Sequence, residues 1–195
     1  MVSAIVLAAG LSTRMGTANK LLLAYKNKTV IATVIENIIA AGIEEIIVVS
    51  GFEAEKIQGA LEGLAVQFVH NPAYEKGMTA SIQHGVSVAK GNGYMICLSD
   101  MVLIEPAEYT LLKEAFELQL KLDRKCICMP RFKNEKGNPV IFSSFYKKAI
   151  LQHKDMEGCK EIVQLNKAHI HWIEMDSLHI LQDMDYPEDY SRLNT

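Results

Sequence analysis

The chain has 195 residues, enough for one well-cored domain and short for two. Hydrophobic residues make up 49% and charged residues 22%, and the formal charge of −3 lacks the basic excess of a duplex-DNA binder. No apolar run reaches the ~18–20 residues of a membrane-spanning helix. The opening also lacks the basic flank and cleavage site of a secretory signal. The expectation is a cytoplasmic protein, read as a single domain over 1–195, with no nucleic-acid or membrane partner.

Strand-like and helix-like runs alternate. "SAIVLA" reads as a buried strand, and "VIATVIENIIAAG" as a helix stopped by Gly42. "EEIIVVSG", "EAEKIQGAL" and "AVQFVH" predict strand, helix, strand. "MTASIQHGVSVAKG" predicts a helix, "YMICLSD" a strand, and "PAEYTLLKEAFELQLKL" a long amphipathic packing helix. "CICMP" and "PVIFS" flank the polar loop "RFKNEKGN". "FYKKAILQH" and "CKEIVQLN" look helical; "HIHWIEM" and "HILQDMD" follow, and "PEDYSRL" is a short terminal helix. Non-alternating strands separated by helices imply a mainly parallel sheet covered on both faces, an α/β three-layer Rossmann-like domain. Ligands of such sheets sit outside the carboxyl ends of the strands. Three clusters are placed there by the pattern: the loop from Gly10 to Lys20, Asp100, and Asp183 with Asp185.

The first loop combines two glycines with two cations. Gly10 and Gly16 permit close backbone approach and sharp turns. Exposed backbone N–H groups there bind anions, Arg14 offers a bidentate fork, and Lys20 offers a point charge. Together they suggest a polyphosphate. The loop is not a P-loop, because Thr17 rather than Lys follows Gly16 and the glycines are one residue too far apart. Leu11-Ser12 after Gly10 breaks the dinucleotide fingerprint.

"LAAGLSTRMGTANKLLL" resembles the signature loop LAAG-x-S-x-RMG-x-x-K-x-L of MobA-like nucleotidyltransferases, and most of all that of the MocA-like molybdenum cofactor cytidylyltransferases. Four further blocks follow in the family's order: "NPAYEKGMTASIQHGV", "CLSDMVLI", "GNPVIFSSFYKKAIL" and "DMDYPEDY". The resemblance implies the nucleotide-diphospho-sugar transferase type of fold. It implies that an acceptor phosphate attacks the α-phosphate of a nucleoside triphosphate, expected to be CTP, and that pyrophosphate leaves. The implied acceptor is the molybdenum-loaded pterin phosphate, with a molybdoenzyme or its maturation chaperone as protein partner. The implied cofactor is Mg²⁺, which takes one or two carboxylates beside phosphate oxygens and water.

By the same resemblance, Leu7, Ala8, Ala9, Gly10, Arg14, Lys20, Asn71, Gly77, Met78 and Ser81 bind the nucleotide. Arg14, Lys20 and Asp100 are the catalytic set. Asp100 is the first metal ligand, Asp183 the second, and Asp185 the alternative to Asp183. Gly137, Asn138 and Pro139 lie on the acceptor side. Such a transfer needs positioning and charge neutralisation more than covalent chemistry.

Three positions depart from the family pattern: Val102 stands for Pro, Asn138 for His, and Tyr186 for Thr. Asn138 bears on the acceptor, so a sugar or polyol phosphate is the alternative substrate. A non-catalytic nucleotide-binding accessory is the alternative class, opposed by the retained carboxylates. Cys126 and Cys128 read as core residues, Trp172 as core, and His169 with His171 as a satisfied surface pair. With no large apolar patch legible, a monomer is expected.

Overall fold

The computed structural model describes residues 1–11 and 19–193. Arg14 and Gly16 lie outside the described residues. The chain opens with β1 (Val2–Ala8), then the two-residue strands β2 (Ala24–Tyr25) and β3 (Lys28–Thr29), which pair with each other. There follow α1 (Val30–Ala40), β4 (Glu45–Ser50), α2 (Ala54–Ala60), β5 (Gln67–His70), α3 (Met78–Val88) and β6 (Gly93–Leu98). The second half holds α4 (Pro106–Leu122), β7 (Ile127–Phe132), β8 (Glu135–Lys136) and β9 (Val140–Ser143). It closes with α5 (Lys147–Gln152), α6 (Lys160–Leu165), β10 (Ile170–Glu174) and α7 (Pro187–Leu193).

The main sheet runs β10-β7-β9-β6-β1-β4-β5, with β8 on β7. β1, β4, β5 and β6 are mutually parallel along their pairings, and β10 is parallel to β7. β9 runs antiparallel between β6 and β7. The mixed α/β sheet matches the expected fold class, with β8 and β9 reversed. β8 follows β7 through a tight turn at Lys133 and Asn134, both at positive φ, and β9 continues in the same direction as β8, because a chain that turns back without a crossover helix pairs antiparallel.

Alternation along β1 sorts its side chains into two cores. Ala4, Val6 and Ala8 join the layer built with α1, α2 and α4; Ile5 joins the layer built with α3, α5 and α6. Local chemistry starts and places the helices. Thr29 caps α1 by accepting from the Ala32 N–H at 3.3 Å. Pro106 opens α4, and Glu105 and Glu108 close a capping box there. Gly85 lets α3 lie on the sheet, since a Cβ there would meet Ile5 Cγ2 at 2.3 Å and Val49 Cγ2 at 3.0 Å.

Two readings are corrected. "HILQDMD" is not a strand: residues 179–181 form one 3₁₀ turn, so Asp183 and Asp185 follow a turn. Glu108 holds that turn, accepting from Ser177 Oγ at 2.6 Å and meeting His179 Nδ1 at 3.0 Å. Trp172 is 42% exposed, because β10 is an edge strand, and Arg131 lies 5.5 Å from its ring centroid. Cys126 and Cys128 are core residues as expected. His169 Nδ1 and His171 Nε2 share the Asp123 carboxylate, at 2.8 and 3.5 Å. Among the described residues, no helix is long and apolar enough to cross a membrane.

Candidate active site

The strand order fixes where a ligand can lie. From β1 the chain winds outward to β4 and β5, then α3 carries it back to β6 on the other side of β1. The loops after β1 and β6 therefore diverge and leave a crevice at the carboxyl ends of these strands. A cavity of about 350 Å³ occupies it. Its lining includes Leu7 near the end of β1, Ala9 and Gly10 after that strand, Ser99 and Asp100 after β6, and Gly77, Met78 and Ser81 at the start of α3.

A cationic and acidic cluster forms one end. Asn19 accepts from the Leu21 N–H at 3.1 Å and so starts the 3₁₀ turn that presents Lys20. Lys20 Nζ lies 2.5 Å from Asp100 Oδ2 and 2.6 Å from Asp185 Oδ1. Three segments distant in sequence thus meet on one ammonium. Burial lowers the Lys20 pKa, but the charges and hydrogen bonds of Asp100 and Asp185 outweigh it and leave it raised. Ser99 donates to the Leu7 carbonyl at 2.6 Å, tying the end of β6 to β1 beside Asp100.

Asp183 stands near this cluster with one side in water. Partial burial, then the charges of Asp100 and Asp185, push its pKa up. The side chain that meets Lys20 is therefore that of Asp185. Among the described residues, no three His, Cys, Asp or Glu side chains form a ready-made metal cage. Mg²⁺ does not require one, since it binds through one or two carboxylates plus phosphate oxygens and water. Asp100 Oδ1 is buried with no hydrogen-bond partner among the described residues, and Asp183 feels the charges of both Asp100 and Asp185. That donor set fits a hard divalent cation arriving with a phosphate ligand.

The other residues singled out by sequence divide. Leu7, Ala9, Gly10, Gly77, Met78 and Ser81 all line the cavity. Ala8 is in the core and Asn71 is fully buried, so neither faces it. Asn71 instead donates from Nδ2 to Ser81 Oγ at 3.0 Å. Gly77 is required by its backbone, at φ 93°, and by the Met156 carbonyl, 2.8 Å from where a Cβ would sit.

Gly137 and Asn138 line a second cavity of about 560 Å³, which shares Met78 and Leu98 with the first. Pro139 is buried behind them after a cis peptide bond. Gly137 packs on the 3₁₀ turn, where a Cβ would meet the Ile180 carbonyl at 2.5 Å. The Asn138 N–H donates to that carbonyl at 3.0 Å. The turn that carries Asp185 thus also seats the second cavity.

Sequence reasoning missed Tyr74, Ser99 and Asn19. Tyr74 lines the first cavity and rests on Gly51, where a Cβ would lie 2.6 Å from its own. An aromatic between the Asn71 turn and the Gly77 turn was the available signal. For Asn19, it was an amide cap directly before Lys20.

Comparison with known proteins accords with this geometry. The chain is 23% identical over 190 residues to the molybdenum cofactor cytidylyltransferase of Escherichia coli K12, covering 97% of this chain and 93% of that protein. A nucleotidyl transferase from Methanothermobacter superposes with a TM-score of 0.86 at 23% identity, covering 100% of this chain and 96% of the other. A Mycobacterium tuberculosis protein in complex with manganese superposes with a TM-score of 0.75 at 23% identity, over 99% and 97% of the two chains. The model of the MobA-like NTP transferase domain matches residues 4–171. With most of its length accounted for in this way, the chain belongs to the MobA-like NTP transferase family and is a nucleotidyltransferase.

Proposed function

We propose that the protein transfers a cytidylyl group from CTP to the phosphate of a molybdenum-loaded pterin and releases pyrophosphate, with Mg²⁺ as cofactor. The observation that carries this reading is the junction of two cavities. They share Met78 and Leu98, and the first holds the Lys20–Asp100–Asp185 cluster. A donor nucleotide and an acceptor placed in these cavities would meet at their common wall.

The roles follow from charge. Lys20, with Arg14 from the signature loop, neutralises the triphosphate and the charge that develops on the leaving pyrophosphate. Asp100 and one of Asp183 or Asp185 hold the Mg²⁺, which supplies charge neutralisation at the phosphate oxygens. Lys20 then exchanges its carboxylate partners for phosphate. Leu7, Ala9, Gly10, Gly77, Met78 and Ser81 shape the nucleotide pocket. Gly137 and Asn138 face the acceptor, with Pro139 fixing the segment. The acceptor phosphate is already anionic near neutral pH, so no general base is needed. Support for CTP and the pterin comes from the curated relative, whose name states both cytidylyl transfer and the molybdenum cofactor. Support for a divalent cation comes from the buried Asp100 Oδ1 and from the manganese-bound structural neighbour. The recipient of the product would be a molybdoenzyme or its chaperone, in the cytoplasm.

Asn138 favours a second acceptor class, because it replaces the family's His in a residue that lines the second cavity. A sugar or polyol phosphate would then be the substrate. Pyrophosphate release with Mg²⁺ separates the readings, measured across CTP, GTP, ATP and UTP, with the pterin or with sugar and polyol phosphates. Release with CTP and the pterin alone is the expected result. Release with a sugar or polyol phosphate and none with the pterin reverses the assignment. Nucleotide binding without release under any pairing would identify a non-catalytic module.

A further inference from the structure

Asn71 makes two hydrogen bonds that leave its amide only one orientation. Its Oδ1 accepts the Ala73 N–H at 2.9 Å, and a backbone N–H can only donate. That places the Nδ2 group on Ser81 Oγ, at 3.0 Å. An amide NH₂ also only donates, so Ser81 Oγ is the acceptor and its own hydrogen is directed elsewhere. Ser81 lines the nucleotide cavity, whereas Asn71 is fully buried behind it. The Asn71 N–H is itself pinned to the Ser50 carbonyl at 2.8 Å, so the arrangement is anchored to the end of β4.

We propose that Asn71 is a positioning residue that fixes the Ser81 hydroxyl as a hydrogen-bond donor aimed into the cavity, so that the site favours a nucleoside presenting an acceptor oxygen or nitrogen there. The inference rests on the nucleotide reading of the cavity. It assigns Asn71 no contact with the ligand. The backbone Ala73 N–H sets the Asn71 amide, the amide sets the hydroxyl, and the hydroxyl meets the nucleoside.

A double-mutant cycle on the intact protein tests this, with CTP affinity measured by calorimetry and melting temperature recorded for every variant. Ser81→Ala removes the donor. Asn71→Asp replaces the NH₂ with a carboxylate oxygen, which takes the Ser81 hydrogen for itself and turns a lone pair toward the ligand. Each single variant is expected to weaken CTP binding about five- to tenfold, the scale of one hydrogen bond. The double variant is expected to be no weaker than the worse single one, because Asn71 acts only through Ser81. Should Asn71→Asp fail to fold, Asn71→Ser takes its place in the cycle. Losses that multiply in the double variant, or unchanged CTP affinity in Ser81→Ala, overturn the proposal. Failure of the unaltered protein to bind any of the four nucleoside triphosphates instead overturns the nucleotide reading itself. Titrations with 2′-deoxy-CTP and 3′-deoxy-CTP assign the acceptor. A Ser81 effect lost with one of them places the contact on that ribose oxygen, and one kept with both places it on the base; either supports the directed donor.

Discussion

Lys20 illustrates how one side chain serves both stability and chemistry. Its ammonium neutralises Asp100 and Asp185 at 2.5 and 2.6 Å, and the same charge is the one a triphosphate would recruit. Lys20→Met is expected to lower kcat/KM by about 10²–10³-fold, roughly 2.7–4 kcal/mol of lost charge stabilisation, as read by steady-state kinetics. The folded-state pKa of Lys20 is raised above its ordinary 10.5. The stability it contributes is therefore complete below that value and lost as pH climbs through the folded pKa. Melting curves of the unaltered protein and Lys20→Met should differ at neutral pH and converge in strong alkali.

Asp183 carries the opposite sign. Its pKa is raised above 3.8, so its ionisation favours the unfolded state once pH exceeds that value. Asp183→Asn should raise the melting temperature at pH 7 and leave it unchanged below about pH 3.8. A lower melting temperature at pH 7 would show that its charge is paired. Asp100→Ala should abolish turnover while weak nucleotide binding survives, and normal turnover would remove Asp100 from the metal assignment. At this scale Asp100 was legible because it stands at the end of a strand run, and Lys20 because it closes the glycine-bearing loop that follows the first strand. The preference of Lys20 for Asp185 over Asp183 was not, because two carboxylates two positions apart differ only in which way a turn faces them.

Elements position these residues through close contacts at small side chains. Helix α3 brings Met78 and Ser81 to the cavity because Gly85 lets it settle on Ile5 and Val49. Gly85→Ala should destabilise the fold by about 1–3 kcal/mol through overpacking, measured by urea unfolding. An unchanged midpoint would mean that α3 has room to lift. The boundaries of α4 were legible residue for residue, since Pro106 and the Glu105–Glu108 box punctuate its start. The turn at residues 179–181 was not, because "HIL" is apolar in either a strand or a turn. Its partners, Glu108 and the Asn138 backbone, are remote in sequence. Trp172 was misread for a related reason: β10 lies at the sheet's edge, and strand order is a non-local property.

At the scale of the whole molecule, the reversal of winding at β1 opens the crevice, and the terminal turn closes one side of it. Alternating strands and helices made the layered fold legible, while the antiparallel β9 between β6 and β7 came from a short connection that periodicity does not reveal. The central claim is that the crevice moves a nucleotidyl group to a phosphorylated acceptor. CTP labelled at its α-phosphorus, incubated with Mg²⁺ and the molybdenum pterin, tests it most directly by following the label. The account requires the label in a cytidine-linked pterin product, with unlabelled pyrophosphate released in equal amount. Label that stays in CTP, or appears only in free CMP, would contradict transfer to that acceptor.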